Sequence, residues 1–426
     1  MLWKPKASYS INSNMQKFLN HVALRYDLPR NDYRTVHGWS IENTEEFWAE
    51  IWDYCDVIYS TNYESVVDNP KKMPGASWFK GSRLNFAENL LKRNDDHVAL
   101  IFRGEDTVKR EITYKQLNEE VRRVAAGFKN MGVKIGDRIA AFMPNMPETI
   151  IAMLAATSMG AIWTSTSPDF GIKGVLDRFS QIEPKLIIAA DGYFYKGKAF
   201  DSLEKLKGIL SSLPSVEKVL LVDYTGNLNT TGMKNAVLWE ELGKGSNDPL
   251  VFEQLPFDHP LYIMYSSGTT GLPKSIVHSA GGTLVQHLKE LILHSGITKD
   301  QTVFYFTTCG WMMWNWIVSS LAIGSTLVLY DGNPFYPGPD ALIKMAKELK
   351  IDFFGTSAKY IASLEDAGVI PSEIDSFPHL KVIASTGSPL SNDSFEYVYK
   401  KWKSDVQLSS IAGGTDIISC FILGNP

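Results

Sequence analysis

Two rhythms of apolar residues alternate along most of the chain. Short apolar runs at Ile139–Met143, Leu186–Ala190, Val219–Val222 and Leu261–Tyr265 predict strands, and further strands separated by helical patterns are predicted at Val303–Thr307, Thr326–Tyr330, Phe353–Thr356, Lys381–Ser385 and Gln407–Ser410. Between and beside them, apolar positions three and four residues apart predict helices over 148–159, 172–182, 280–294, 339–350 and 391–403. Strands alternating with helices predict an α/β fold of mostly parallel sheets with helices on both faces, because each crossover helix must bury its apolar stripe on a sheet. Upstream, Thr113-Tyr114-Lys115-Gln116 has the order of a capping box. Leu117, Val121, Val124 and Phe128 fall on one face of the helix that box would open, and Gly132 supplies its stop. Phe47, Trp48, Ile51 and Trp52 form another helical stripe, read as packing. The uncharged stretch 310–330 is long enough to raise a membrane span. Asn315, Ser319, Ser320 and Gly324 interrupt it, so a buried helix followed by a strand is predicted instead.

Composition changes this picture only by exclusion. The 426 residues allow two or three domains with sizeable cores, and 44% hydrophobic with 21% charged residues is ordinary for a globular protein. A formal net charge of -5 argues against a nucleic-acid or anionic-membrane partner and leaves small molecules as the expected partners. Cys55, Cys309 and Cys420 are scattered and odd in number, which offers neither a disulfide framework nor a paired metal site. Met1-Leu2-Trp3-Lys4-Pro5-Lys6 lacks the apolar core of a signal peptide. A reducing, cytoplasmic setting is expected.

Candidate chemistry begins in Tyr265-Ser266-Ser267-Gly268-Thr269-Thr270-Gly271-Leu272-Pro273-Lys274. Hydroxyls, glycines and a terminal lysine after an apolar run can converge O–H, N–H and cationic groups on a polyanion. The segment is not a Walker A loop, since Pro273 precedes Lys274 and Ser275-Ile276-Val277-His278 reads as a second strand. Gly192-Tyr-Phe-Tyr-Lys-Gly197-Lys198 does fit the Walker spacing, but Ala199 stands where a hydroxyl should bind Mg2+, so a turn is predicted there. Two glycine-bearing loops, Ser385–Leu390 and Ile411–Asp416, follow predicted strands, where ligand crevices of open α/β sheets lie. Cys309-Gly310-Trp311-Met312-Met313-Trp314-Asn315-Trp316 reads as core or pocket, and His287 and His294 are given no role.

Taken together, these loops resemble the signature segments of the adenylate-forming superfamily, and the run 311–316 with Trp78–Leu91 resembles its acyl-CoA synthetases of the acetyl-CoA synthetase group. The resemblance implies an N-terminal extension over 1–92 and an AMP-binding domain over 93–426. It implies a ligase that activates acetoacetate with ATP, through an acyl-adenylate, for transfer to CoA, with Mg2+ as the metal. By the same resemblance Ser266, Ser267, Gly268, Thr269, Thr270, Gly271 and Lys274 hold phosphates, and Gly387, Ser388 and Pro389 border adenine. Thr415 meets the α-phosphate, Asp416 takes the metal where Glu is usual, and Lys198 approaches the CoA phosphates; Lys274, Thr415 and Asp416 are the catalytic candidates. Trp311, Met312, Gly413 and Lys359 are the acyl-pocket candidates, with Gly413 in place of a tryptophan expected to widen the pocket beyond acetate. No Tyr-x-Thr-Gly-Asp segment occurs, so a truncated chain lacking the ribose-binding Asp and the C-terminal domain with its catalytic Lys is expected. The alternatives are a nucleotide-binding protein without catalysis, a ligase for another short acid, and a P-loop NTPase built on Gly192–Lys198.

Overall fold

The computed structural model describes residues 2–105, 107–266 and 271–426. Two seven-stranded sheets are built on one plan. In edge-to-edge order the first contains Ala236–Leu238, Lys218–Val222, Leu186–Ala190, Arg138–Phe142, Ile162–Thr166, Pro260–Ser266 and Lys274–Ser279. The second contains Gln407–Ser410, Val382–Thr386, Phe353–Ser357, Thr302–Tyr305, Thr326–Asp331, Val98–Gly104 and Val108–Thr113. Every neighbouring pair is parallel except the hairpin closing one edge of each sheet. The predicted strands all form, within a residue or two of the expected bounds.

Alternation along the strands shows why their sequences are apolar throughout. Ile139 and Ala141 join the cluster between the sheets while Ala140 and Phe142 join the outer one, and Tyr305 faces inward while Phe304 faces outward. Both faces are therefore covered, which leaves no solvated face to carry polar residues. The helix Pro147–Ser158 lies between the layers and is buried along its whole length. The capping box is present, with the Thr113 hydroxyl accepting from the Gln116 N–H and the Gln116 side chain accepting from the Thr113 N–H. Leu117, Val121, Val124 and Phe128 are fully buried on the face it sets.

The N-terminal helices Asn14–Arg25, Tyr33–Glu42 and Thr44–Tyr54 dock through aromatic rings. Trp52 stacks on Phe79 at 4.8 Å, and Phe79 lies 4.8 Å from Phe257. The apolar core is thus continuous across residue 92. The uncharged stretch resolves into the buried helix Met312–Val318, a short turn, Gly324 at φ +87° and the strand Thr326–Asp331. Among the described residues no helix is long and apolar enough to cross a membrane.

Candidate nucleotide site

Side chains stitch together the carboxyl ends of central strands from the two sheets. Beyond Arg138–Phe142, the Met143 carbonyl accepts from Cys309 Sγ at 2.9 Å and Asn145 Oδ1 accepts from Trp314 Nε1 at 3.0 Å. Ser165 Oγ donates to the Cys309 carbonyl at 2.6 Å. Burial pushes the Cys309 thiol up, so it stays protonated and donating at neutral pH. This junction brings the loops after the strands to one side of the molecule.

The hydroxyl-rich loop belongs to the hairpin closing the first sheet. Ser266 and Lys274 are register partners, so the loop leaves and returns at one place. Ser267, Gly268, Thr269 and Thr270 lie outside the described residues; Gly271, at φ +112°, and Lys274 are exposed. The returning strand is fastened to the end of the helix Ile172–Phe179, for Gln181 Nε2 donates to the Pro273 carbonyl at 2.8 Å and accepts through Oε1 from Ser275 Oγ at 3.0 Å. Arg178 lies over the rings of Phe170 and Tyr265, 4.9 and 5.7 Å from their centroids. Neither Gln181 nor Arg178 stood out in the sequence, because only the fold sets them beside the loop.

The other two glycine-bearing loops meet beyond the second sheet. Gly387, with φ +91°, Ser388 and Pro389 are exposed after the strand Val382–Thr386. Ile411 N donates to the Ser385 carbonyl at 2.7 Å, which holds the start of the Ile411–Asp416 segment against that loop. Thr415 and the exposed Asp416 occupy the turn between the paired strands Ala412–Gly414 and Ser419–Ile422. His278, on the strand returning from the phosphate loop, donates from Nε2 to the Thr415 carbonyl at 2.7 Å. That bond ties the return strand of the first sheet to the turn beyond the second sheet. Burial holds the His278 imidazole below its ordinary range, while the Thr415 carbonyl and the Asp416 charge act the other way.

Asp416 has no hydrogen-bond or ion-pair partner among the described residues, and no group of three metal-ligating side chains occurs among them. One open carboxylate fits a Mg2+ that arrives on nucleotide phosphates, since that ion commonly takes one or two carboxylates and completes its shell with phosphate and water.

The remaining candidates are more dispersed. Trp311 is 64% exposed at the start of the helix Met312–Val318, and Met312 is buried beneath it. Lys359 is exposed in the first turn of Ala358–Asp366, whose cap is the Ser357 hydroxyl. Gly413 lies on the strand Ala412–Gly414, paired with Cys420. A Cβ there would fall 2.2 Å from the Ser419 carbonyl oxygen, so the space beside it is filled by the paired strand.

The Walker-like segment is a hairpin, Gly192–Tyr195 with Lys198–Asp201, and its turn residues Lys196 and Gly197 have positive φ. Their N–H groups both donate to the Glu105 carboxylate at 2.7 Å. No helix follows directly and an internal anion already occupies the turn, which removes the P-loop NTPase reading. Lys198 is exposed on that hairpin.

Two mostly parallel seven-stranded sheets, with a hydroxyl- and glycine-bearing hairpin, a second glycine loop and a Thr-Asp turn as the candidate nucleotide site, define an α/β protein. The chain belongs to the AMP-binding enzyme family, whose model matches residues 86–424, and the model for the acetyl-coenzyme A synthetase N-terminus matches residues 33–90. It is 48% identical over 432 residues to the acetoacetyl-CoA synthetase of Gallus gallus, covering 99% of this chain and 64% of that protein. The acetoacetyl-coenzyme A synthetase of Rhizobium meliloti is also 48% identical, over 428 residues, covering 100% of this chain and 65% of its own length. The solved acetoacetyl-CoA synthetase from Streptomyces lividans superposes with a TM-score of 0.95 at 38% identity, over all of this chain and 66% of that one. The chain therefore spans just under two thirds of the relatives it matches.

Proposed function

We propose that this chain is the adenylating part of an acetoacetate–CoA ligase, which converts acetoacetate, ATP and CoA to acetoacetyl-CoA, AMP and pyrophosphate. The observation that carries the reading is the meeting of the loops after Val382–Thr386 and Gln407–Ser410, with the Thr415 turn tied to the strand Lys274–Ser279 of the first sheet, on a chain 48% identical to relatives bearing that name. The acid's carboxylate oxygen attacks the α-phosphorus of ATP, and the bond to the bridging oxygen of pyrophosphate breaks. The CoA thiol then attacks the acyl carbonyl, and AMP leaves. Two anions must meet in the first step, so donors and cations aligned on the phosphates lower its barrier more than a strong base would.

In this reading Ser266, Ser267, Gly268, Thr269, Thr270, Gly271 and Lys274 carry the phosphates, Gly387–Pro389 border adenine and Thr415 meets the α-phosphate. Asp416 would hold Mg2+, which when bound neutralises phosphate charge. Trp311, Met312 and Lys359 line the acyl side, and Lys198 faces the CoA phosphates. Residues 1–92 form an extension docked on the adenylating unit 93–426, a division that the two family-model matches support. The scattered free cysteines support a cytoplasmic setting.

Calorimetry of ATP with Mg2+ on this chain, followed by ATP–pyrophosphate exchange with acetoacetate, acetate and butyrate, tests the proposal. Saturable ATP binding and exchange favouring acetoacetate are expected. Exchange with acetate alone overturns the substrate, and absence of ATP binding overturns the nucleotide site.

A further inference from the structure

The helix Ala280–Leu288 runs on into a wider turn, Lys289–His294, where Ser295 N donates to the Glu290 carbonyl five residues back at 2.9 Å. Closure over five residues brings positions four and five apart onto one face, and such turns recur at functional sites. Lys289, Leu293 and His294 share that face, and all three line one cavity of about 430 Å3. The cavity lies between the N-terminal helices and the strand Ser419–Ile422. Phe18 and Phe47 wall it on the helix side, edge to face with ring centroids 6.2 Å apart. Phe421 and Ile422, 80% and 62% exposed, wall it on the strand side. A volume in this range, with apolar walls and a few polar groups, is usual for a small-molecule site.

The half-buried Lys289 is the one lysine or arginine among the described residues of this lining. Its Nζ lies 5.8 Å from the centroid of the Trp48 ring and has no hydrogen bond or ion pair among the described residues. Glu290 beside it is already engaged. Its carboxylate accepts from Gln286 Nε2 and Trp316 Nε1 at 2.8 Å, Ser419 Oγ at 2.5 Å and the Cys420 N–H at 3.2 Å. His294 donates from Nδ1 to the Gly424 carbonyl at 3.2 Å, and burial lowers its pKa to about 4, so it adds no cation at neutral pH. Burial also holds the Lys289 ammonium below its ordinary range, while the Glu290 charge acts the other way. An ammonium partly withdrawn from water, with no carboxylate in ion-pair reach, favours an anion beside it. A dianion would leave its second charge unpaired against apolar walls, so a single carboxylate fits.

We infer that this cavity binds an apolar monocarboxylate, whose carboxylate pairs with Lys289 Nζ and whose chain lies between the Phe18–Phe47 and Phe421–Ile422 walls. None of the lining residues is among the nucleotide, metal or acyl-pocket candidates, so the site stands apart from the proposed function.

Calorimetric titration with octanoate, and with octanol as the uncharged probe, tests this in the wild type, Lys289→Met and Lys289→Arg, with thermal unfolding as the check on folding. Amide hydrogen exchange of the wild type with and without octanoate locates the site. Saturable octanoate binding is expected, tighter than that of octanol, with exchange slowed at 289–294 and 419–423. Losing a hydrogen bond between charged groups weakens binding about 10-fold or more, so Lys289→Met is expected to lose about that factor for octanoate and little for octanol. Lys289→Arg is expected to keep most of the affinity. No saturable octanoate binding to the wild type overturns the inference, as does octanol binding equally well or a folded Lys289→Met that binds octanoate undiminished. Protection confined to 311–316 overturns it too, because the acid then sits in the proposed acyl pocket. Should Lys289→Met fail to fold, the wild-type comparison of octanoate with octanol and the exchange map decide between these outcomes.

Discussion

Burial holds the His287 imidazole neutral, with its pKa lowered to about 4 from an ordinary 6.5. Its Nε2 hydrogen bonds to the Ile418 carbonyl, so the neutral ring carries its proton there. In the unfolded chain the same ring takes a proton near 6.5, so between pH 6.5 and 4 the unfolded state binds more protons. Its stabilising contribution is therefore complete above 6.5 and disappears as pH falls toward 4. Urea unfolding of the wild type at pH 7 and pH 5 should show a loss at the lower pH, and His287→Gln should reduce that loss. Asp331 acts with the opposite sign. Packing around its carboxyl raises its pKa to about 7 from 3.8, against the hydrogen bond from Tyr224, so its contribution declines as pH climbs through that window. Neither effect was legible in the sequence, where His287 is one more helical residue and Asp331 follows an apolar run.

The hairpin Gly192–Asp201 shows what an element's sequence states and omits. Gly192–Lys198 has the spacing of a phosphate loop, but a Lys-Gly pair with both residues at positive φ makes the tight turn that suits the twist of two antiparallel strands. Glu105 binds the tip to the second sheet, accepting from the N–H groups of Lys196 and Gly197 at 2.7 Å and of Asn333 at 2.8 Å. Glu105→Gln would turn an amide donor toward one of these N–H groups. Faster amide hydrogen exchange at Lys196 and Gly197 is expected, with the central strands unchanged, as read by mass spectrometry. Unchanged exchange at the tip would show that strand pairing alone holds it. The hairpin that closes the first sheet was legible, because strand-like runs flank a short loop rich in hydroxyls and glycine.

At the scale of the molecule, the relative placement of the two sheets decides whether the loops can act together. Asn145 is central to that placement: its Oδ1 accepts from Trp314 and its Nδ2 donates to the Thr307 carbonyl at 3.4 Å. Asn145→Ala leaves the indole N–H of a fully buried Trp314 without its acceptor, a loss of about 1–3 kcal/mol. A lower denaturant midpoint with weaker ATP binding is expected, and a Trp314→Phe, Asn145→Ala double variant should regain part of the stability, because no unpaired indole donor remains. The sequence by itself determined ten of the fourteen strands of the two sheets, the helices between them and the order of the glycine-bearing loops, since these follow from local periodicity, capping and turn chemistry over a few residues; Val98–Gly104, Val108–Thr113, Ile162–Thr166 and Ala236–Leu238 were not read from it. Only the tertiary structure decided which strands share a sheet, that backbone fills the space beside Gly413, and that His278 reaches Thr415. Those facts depend on contacts between segments far apart in the chain, whose geometry is set by the packing of both sheets around one core and leaves no periodic trace in either segment.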